Sequence, residues 1–132
     1  MSVLPTVRSL MDKSFVTLKP EMTIASAVGM LLQHRITGAV VVDDDGRLVG
    51  LLSEKDCLKT LVNSAYDHMP SGLVSEFMTR EVFTVHPDMD IFALAESFLK
   101  RVNRRFPVVE DGALVGQVTR FDVLRALQKY WG

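Results

Sequence analysis

Cysteine is all but missing from this chain. Cys57 stands alone among 132 residues, so no internal disulfide can form and stability must come from a packed core. An excess of either charge is missing too. Fifteen Lys and Arg face sixteen Asp and Glu, a formal net charge of -1, which argues against a protein that tracks a nucleic-acid backbone. Charges interrupt every apolar stretch well short of a bilayer-spanning length. The start, Met1-Ser2-Val3-Leu4-Pro5, has neither the basic residues nor the apolar run of a signal peptide. These absences predict a cytoplasmic, reducing location, with neither nucleic acid nor membrane as partner. His34, His68 and His86 are scattered, without zinc or iron spacing, so no metal is expected. The Asp43-Asp44-Asp45-Gly46 run lacks the later ligands of a calcium loop and reads as a solvated turn. No nucleophile is paired with a base and no phosphate-cradling loop precedes a Lys, so an enzyme is not expected.

What the chain does have is a duplication. The segment from Met11 to Leu61 lies over Met78 to Leu127, with one single-residue gap at the Asp43–Gly46 turn. Met11-Asp-Lys-Ser-Phe-Val-Thr-Leu-Lys-Pro20 matches Met78-Thr-Arg-Glu-Val-Phe-Thr-Val-His-Pro87. Gly46-Arg-Leu-Val-Gly-Leu-Leu-Ser-Glu-Lys-Asp56 matches Gly112-Ala-Leu-Val-Gly-Gln-Val-Thr-Arg-Phe-Asp122. Such self-similarity marks a repeated supersecondary unit.

Each repeat reads as β-α-β-β-α. Phe15–Leu18 and Val82–Val85 are short strands stopped by Pro20 and Pro87. Thr23 and Asp90 cap helices whose apolar residues (Ile24, Ala27, Val28, Leu31, Leu32 and Ile91, Leu94, Ala95, Phe98, Leu99) recur at helical spacing. Ala39–Val42 and Pro107–Val109 are continuous apolar strands of the kind covered on both faces. Asp45-Gly46 and Asp111-Gly112 turn them into Leu48–Leu52 and Leu114–Val118, and a last helix opens at Asp56 or Asp122. The expected class is α/β (α+β), with repeats at 7–62 and 75–132 joined by a connector at 63–74. One repeat buries too little surface to stand alone, so the two are expected to pack about a quasi-twofold axis, with a ligand cleft per repeat where they meet.

This order and these motifs resemble the CBS domain (cystathionine-β-synthase type), paired as in a stand-alone Bateman module. Arg105-Phe-Pro-Val-Val-Glu-Asp-Gly-Ala-Leu-Val-Gly-Gln-Val-Thr-Arg-Phe-Asp122 resembles the family's central strands and ligand motif. The resemblance implies a regulatory module that takes AMP, ADP or ATP, with S-adenosylmethionine or NAD ranked behind them. It needs no cofactor, forms a homodimer and reports ligand occupancy to a regulated protein. It implies ribose contacts from Asp56 and Asp122, ribose or phosphate contacts from Ser53 and Thr119, and further contacts from Thr17 and Thr84. Arg104 and Arg105, just ahead of the second repeat's strand, would face phosphate.

All of these residues but Thr17 and Thr84 have a plainer reading as well. Ser53-x-x-Asp56 and Thr119-x-x-Asp122 also resemble capping boxes, and Arg104-Arg105 also reads as a solvated basic turn. The first repeat has Thr37-Gly38 where the second has Arg104-Arg105, so two unequal clefts are expected. A ligand-free dimerising scaffold is the alternative, with Phe121, Tyr130 and Trp131 either packed internally or forming its seam. Cys57 is expected to pack, not to react.

Overall fold

The structure, a computed structural model, describes residues 4–63 and 72–131; most of the expected connector, residues 64–71, and with it His68, lies outside them. The elements run α1 (Val7–Leu10), β1 (Thr17–Leu18), α2 (Ile24–His34), β2 (Gly38–Val42), β3 (Leu48–Ser53) and α3 (Glu54–Asn63). They continue with α4 (Val74–Phe77), α5 (Ile91–Lys100), β4 (Arg105–Glu110), β5 (Ala113–Thr119) and α6 (Arg120–Trp131). The β-α-β-β-α order is therefore present in the first repeat and, with its opening strand reduced to a single bridge, in the second. Thr23 Oγ1 accepts the Ser26 N–H at 3.2 Å, and Asp90 Oδ1 accepts the Ala93 N–H at 2.9 Å, so both expected caps hold their helices.

Three details differ from the sequence reading. Val82–Val85 forms no strand; Val85 makes only a single parallel bridge to Val108. Its counterpart β1 pairs with β2 at Thr17–Val40 and Leu18–Val41. Pro107 occupies the position of Val40 and has no N–H to give to the ladder. Second, the last helices begin at Glu54 and Arg120, two residues ahead of Asp56 and Asp122. Third, α1 and α4 have no counterpart in the β-α-β-β-α order expected of each repeat. They share the pattern Val-x-x-Leu/Phe-Met at Val7–Met11 and Val74–Met78, an upstream extension of the duplication.

Those two short helices explain how the chain divides. One compact unit is Val16–Val82; the other joins the residues before Val16 to those from Phe83 onward. The opening segment of each repeat is thus built into the other repeat's unit. In the first unit, Val74 N–H donates to Met22 O and Ser75 N–H to Pro20 O, and Thr79 bridges the free edge of β3 at Leu51. In the second, Val7 N–H donates to Met89 O and Arg8 N–H to Pro87 O, and Asp12 bridges β5 at Gln117. Val7 and Val74 are both fully buried.

Each unit has its own core. Leu18, Ile24, Ala27, Leu31, Val41, Leu52 and Val74 fill the first. In the second, Phe106 stacks on Phe98 at 4.2 Å and meets Phe83 edge-on at 4.9 Å. The motif glycines belong to these cores. A Cβ on Gly50 would lie 2.6 Å from the Met78 sulfur, and one on Gly116 would lie 2.7 Å from that of Met11. Backbone carbonyls, Thr79 at 3.0 Å and Asp12 at 3.2 Å, crowd the same positions and cannot swing aside as a side chain can. Gly116→Ala is expected to cost about 1–3 kcal/mol by overpacking, read as a lower denaturation midpoint with unchanged m. An unaltered midpoint would show that the opening segment does not seat Met11 on the sheet.

Candidate functional site

The strand-to-helix junction carries the same clasp in both repeats. In the second, Asp122 Oδ2 accepts the Thr119 N–H at 2.8 Å and the Thr119 hydroxyl at 3.0 Å. Thr119 Oγ1 in turn accepts the Asp122 N–H at 3.2 Å. In the first, Asp56 Oδ2 accepts the Ser53 N–H at 2.9 Å and its hydroxyl at 3.0 Å, and Ser53 Oγ accepts the Asp56 N–H at 3.2 Å. Both carboxylates are buried. The capping reading is therefore true of all four residues, with Asp in the third helical position where a capping box more often has Glu or Gln. Capping consumes one carboxylate oxygen. The other, Oδ1, faces Arg125 in the second repeat and Lys59, at 3.7 Å, in the first.

Strand register places the remaining predicted residues. Arg105 pairs with Thr119 across β4 and β5, and Gly38 with Ser53 across β2 and β3. Core residues Leu18, Ala39, Val41 and Leu52 alternate with Thr17, Gly38, Val40, Leu51 and Ser53, so Thr17 shares the sheet face of Ser53, one pleat along. Thr84 immediately precedes the Val85–Val108 bridge at the corresponding place. Arg105 is half-buried, and burial, with Arg104's charge behind it, lowers its pKa from the ordinary guanidinium value. Arg104 is exposed, and its carbonyl accepts the Arg120 N–H at 3.2 Å. The structure thus brings Arg105 beside Thr119 in one repeat and puts glycine at that place, beside Ser53, in the other. A Cβ at Gly38 would sit 3.2 Å from Leu52 O, so even alanine is tight there.

The demoted residues behave as packing or turn groups. Asp43 Oδ1 accepts the N–H groups of Asp45 and Arg47, each at 2.9 Å, closing the acidic turn on itself. Cys57 packs against the first core, and burial, then Asp56, pushes its thiol pKa up, away from the reactive thiolate. Phe121 and Trp131 are exposed, so internal packing is not their role. Sequence reasoning missed Arg125 and Lys59. Their signal was available as a cation three residues after each clasp Asp, the spacing that brings side chains together on a helix.

The fold and the twice-built clasp define a class, a tandem β-α-β-β-α module with a carboxylate at each strand-to-helix junction. The CBS domain profile matches residues 7–63 and 74–129, and the chain belongs to that family. It is 29% identical over 95% of its length to MJ1225 of Methanocaldococcus jannaschii and spans 44% of that relative. Among solved structures, CBSX2 in complex with AMP superposes with a TM-score of 0.84 at 29% identity, covering 97% of this chain and 99% of that one. The CBS domain pair of MJ0100, in complex with 5'-methylthioadenosine and S-adenosyl-L-methionine, gives 0.77 at 29% identity, covering 97% and 99%. Among the described residues, no helix is long and apolar enough to cross a membrane.

Proposed function

We propose that this chain is a ligand-sensing regulatory module that binds an adenosine-containing nucleotide, AMP, ADP or ATP, at its two Ser/Thr–Asp clasps. The observation that carries the reading is the clasp itself, built twice in register, with Arg105 across the strands from one copy. A carboxylate accepts both hydroxyls of a ribose, and charge-assisted hydrogen bonds of this kind are the strong ones. An Arg fork suits phosphate oxygens. AMP in CBSX2 and the adenosine compounds in the MJ0100 pair support the ligand class, with S-adenosylmethionine and NAD ranked behind the adenine nucleotides. The module acts without a cofactor or chemistry of its own, in the cytoplasm. Occupancy favours one conformation over another and so changes what a protein partner sees.

The two sites are unequal, because Arg104 and Arg105 have no counterparts beside Ser53. A thermal-shift series with AMP, ADP, ATP, NAD and S-adenosylmethionine finds the ligand, since binding to the native state alone raises the melting temperature. Calorimetry then gives the stoichiometry. Asp122→Asn keeps an acceptor for the Thr119 cap while removing the charge, and is expected to weaken AMP binding about tenfold or more with little change in melting. Two equal AMP sites would overturn the asymmetry. Unaltered affinity in both Asp56→Asn and Asp122→Asn would overturn the nucleotide reading.

A second reading is a ligand-free homodimerising scaffold. Leu58, Leu61 and Val62 on α3, with Phe121, Leu124 and Trp131 on α6, are all more than half exposed, more apolar surface than a solitary protein usually leaves uncovered. Dimerisation through these helices is compatible with sensing. The scaffold reading alone gains if sedimentation finds a dimer whose stability no nucleotide alters.

A further inference from the structure

We infer that Arg125 is a built-in competitor for the ribose site of the second repeat, and that its match in the first repeat, Lys59, competes more weakly because it pairs without a hydrogen bond. The inference rests on the nucleotide reading above and follows from counting acceptors. An ionised carboxylate offers about four lone-pair positions, two on each oxygen. On Asp122, Thr119 fills two of them at Oδ2 through its N–H and its hydroxyl. Arg125 Nη2 takes a third, at Oδ1. One position remains, and a ribose diol brings two donors. Both hydroxyls can engage Asp122 only if Arg125 lets go.

The first repeat counts differently. Ser53 fills the two positions on Oδ2 of Asp56, but Lys59 stands 3.7 Å from Oδ1, beyond hydrogen-bond reach. Both positions on that oxygen are open to a diol. Arg and Lys at matched places are therefore not interchangeable: the guanidinium fork reaches the acceptor and the ammonium stops short of it.

Displacement of Arg125 is physically cheap. The Arg125 side chain is 62% exposed, whereas that of Asp122 is 8% exposed, so the cation can swing into water while the carboxylate stays. A recess of about 140 Å³ opens there, lined by Ser9, Leu10, Asp122, Arg125, Ala126 and Lys129. The second repeat therefore binds ligands that bring only a ribose a few-fold more weakly than it would without Arg125. A phosphorylated ligand, able to engage Arg104 and Arg105 at the start of β4, offsets the loss. The first repeat takes an uncharged adenosine group with less of that toll.

Adenosine is the discriminating probe, since it has the diol and no phosphate. The full chain is titrated calorimetrically with adenosine as native protein, Arg125→Ala, Lys59→Ala and the double variant Arg125→Ala/Asp122→Asn. Arg125 is exposed on a helix and alanine is the best helix former, so the fold is kept; circular dichroism checks it. Arg125→Ala is expected to bind adenosine about twofold to fivefold more tightly at one of two sites, the range set by a partly exposed ion pair. Lys59→Ala, which removes a longer ion pair with no hydrogen bond, changes the first site less than Arg125→Ala changes the second, and Asp122→Asn cancels the gain. Competition with an ion pair also makes the native second site bind this neutral ligand better as salt rises, while Arg125→Ala shows no such slope. Adenosine binding that is unchanged or weaker in Arg125→Ala overturns the inference and leaves the nucleotide reading standing. Absence of heat with both adenosine and AMP, in every variant, overturns both.

Discussion

A chain beginning at Lys13 is expected to destabilise the second repeat far more than the first. The segment it lacks is part of the second unit's core. Val7 is fully buried, and Leu10 and Met11 pack against the same cluster. Burying a valine contributes about 1.5–3 kcal/mol. The main chain adds Val7 N–H to Met89 O, Arg8 N–H to Pro87 O and Ile91 N–H to Pro5 O, each at 2.8–2.9 Å, and Asp12 exchanges two bonds with Gln117 along β5. At about 1 kcal/mol for each bond, the segment is worth about 5 kcal/mol or more, comparable with the whole stability of a small domain. Arg8 adds a surface link to Glu110 at 2.9 Å and Asp88 at 3.2 Å; such pairs are screened, and little of the total comes from them. Hydrogen exchange reads the outcome. Amides of β5 and of the start of α5 lose more protection in the shortened chain than those of β2 and β3. Full protection throughout would mean that Val7 and its neighbours contribute no core to the second repeat.

That swapped segment is also where sequence reading stopped short. Strands, helices and caps were legible because each leaves a local mark: Thr23 and Asp90 ahead of helical periodicity, Asp-Gly ahead of a strand. The Asp111-Gly112 turn has positive φ at both residues (54° and 81°), the mirror-image hairpin geometry that this dipeptide favours. A four-residue helix such as Val7–Leu10 carries too few residues to show a period. Its docking partner is some eighty residues away in sequence, which no local pattern records. The site was legible in its residue types and not in its allocation. Ser53, Asp56, Thr119 and Asp122 could be found by repetition, and the structure adds that one oxygen of each carboxylate is already spent on the cap. Arg125 escaped notice because an i, i+3 ion pair on a helix is ordinary. It gains meaning only when its acceptor is counted.

Phe106→Ala is expected to be the most damaging single substitution, at about 3–5 kcal/mol. Phe106 is fully buried and bridges two elements, stacked on Phe98 of α5 and edge-on to Phe83 ahead of the Val85 bridge. Aromatic pairs of this geometry contribute about 0.5–1.5 kcal/mol beyond the area they bury. The first repeat has Ala39 at the matching position, also buried, with Leu31 for Phe98 and Val16 for Phe83. That core is complete with alanine because its neighbours were sized for it; the second is not, and truncation leaves a cavity that stacked rings cannot collapse into. For a chain of this length the melting temperature should fall by roughly 10–20 °C, against a smaller loss in Phe106→Leu, which retains most of the volume. A loss below about 1 kcal/mol would mean that the aromatic cluster relaxes as readily as an aliphatic one. The site is expected to follow the core. Arg105 is the residue before Phe106 and faces the opposite side of β4, so a strand that loses its anchor loses the position of its cation. AMP binding at the second repeat should weaken in Phe106→Ala below its melting temperature, with the Ser53–Asp56 site unaffected.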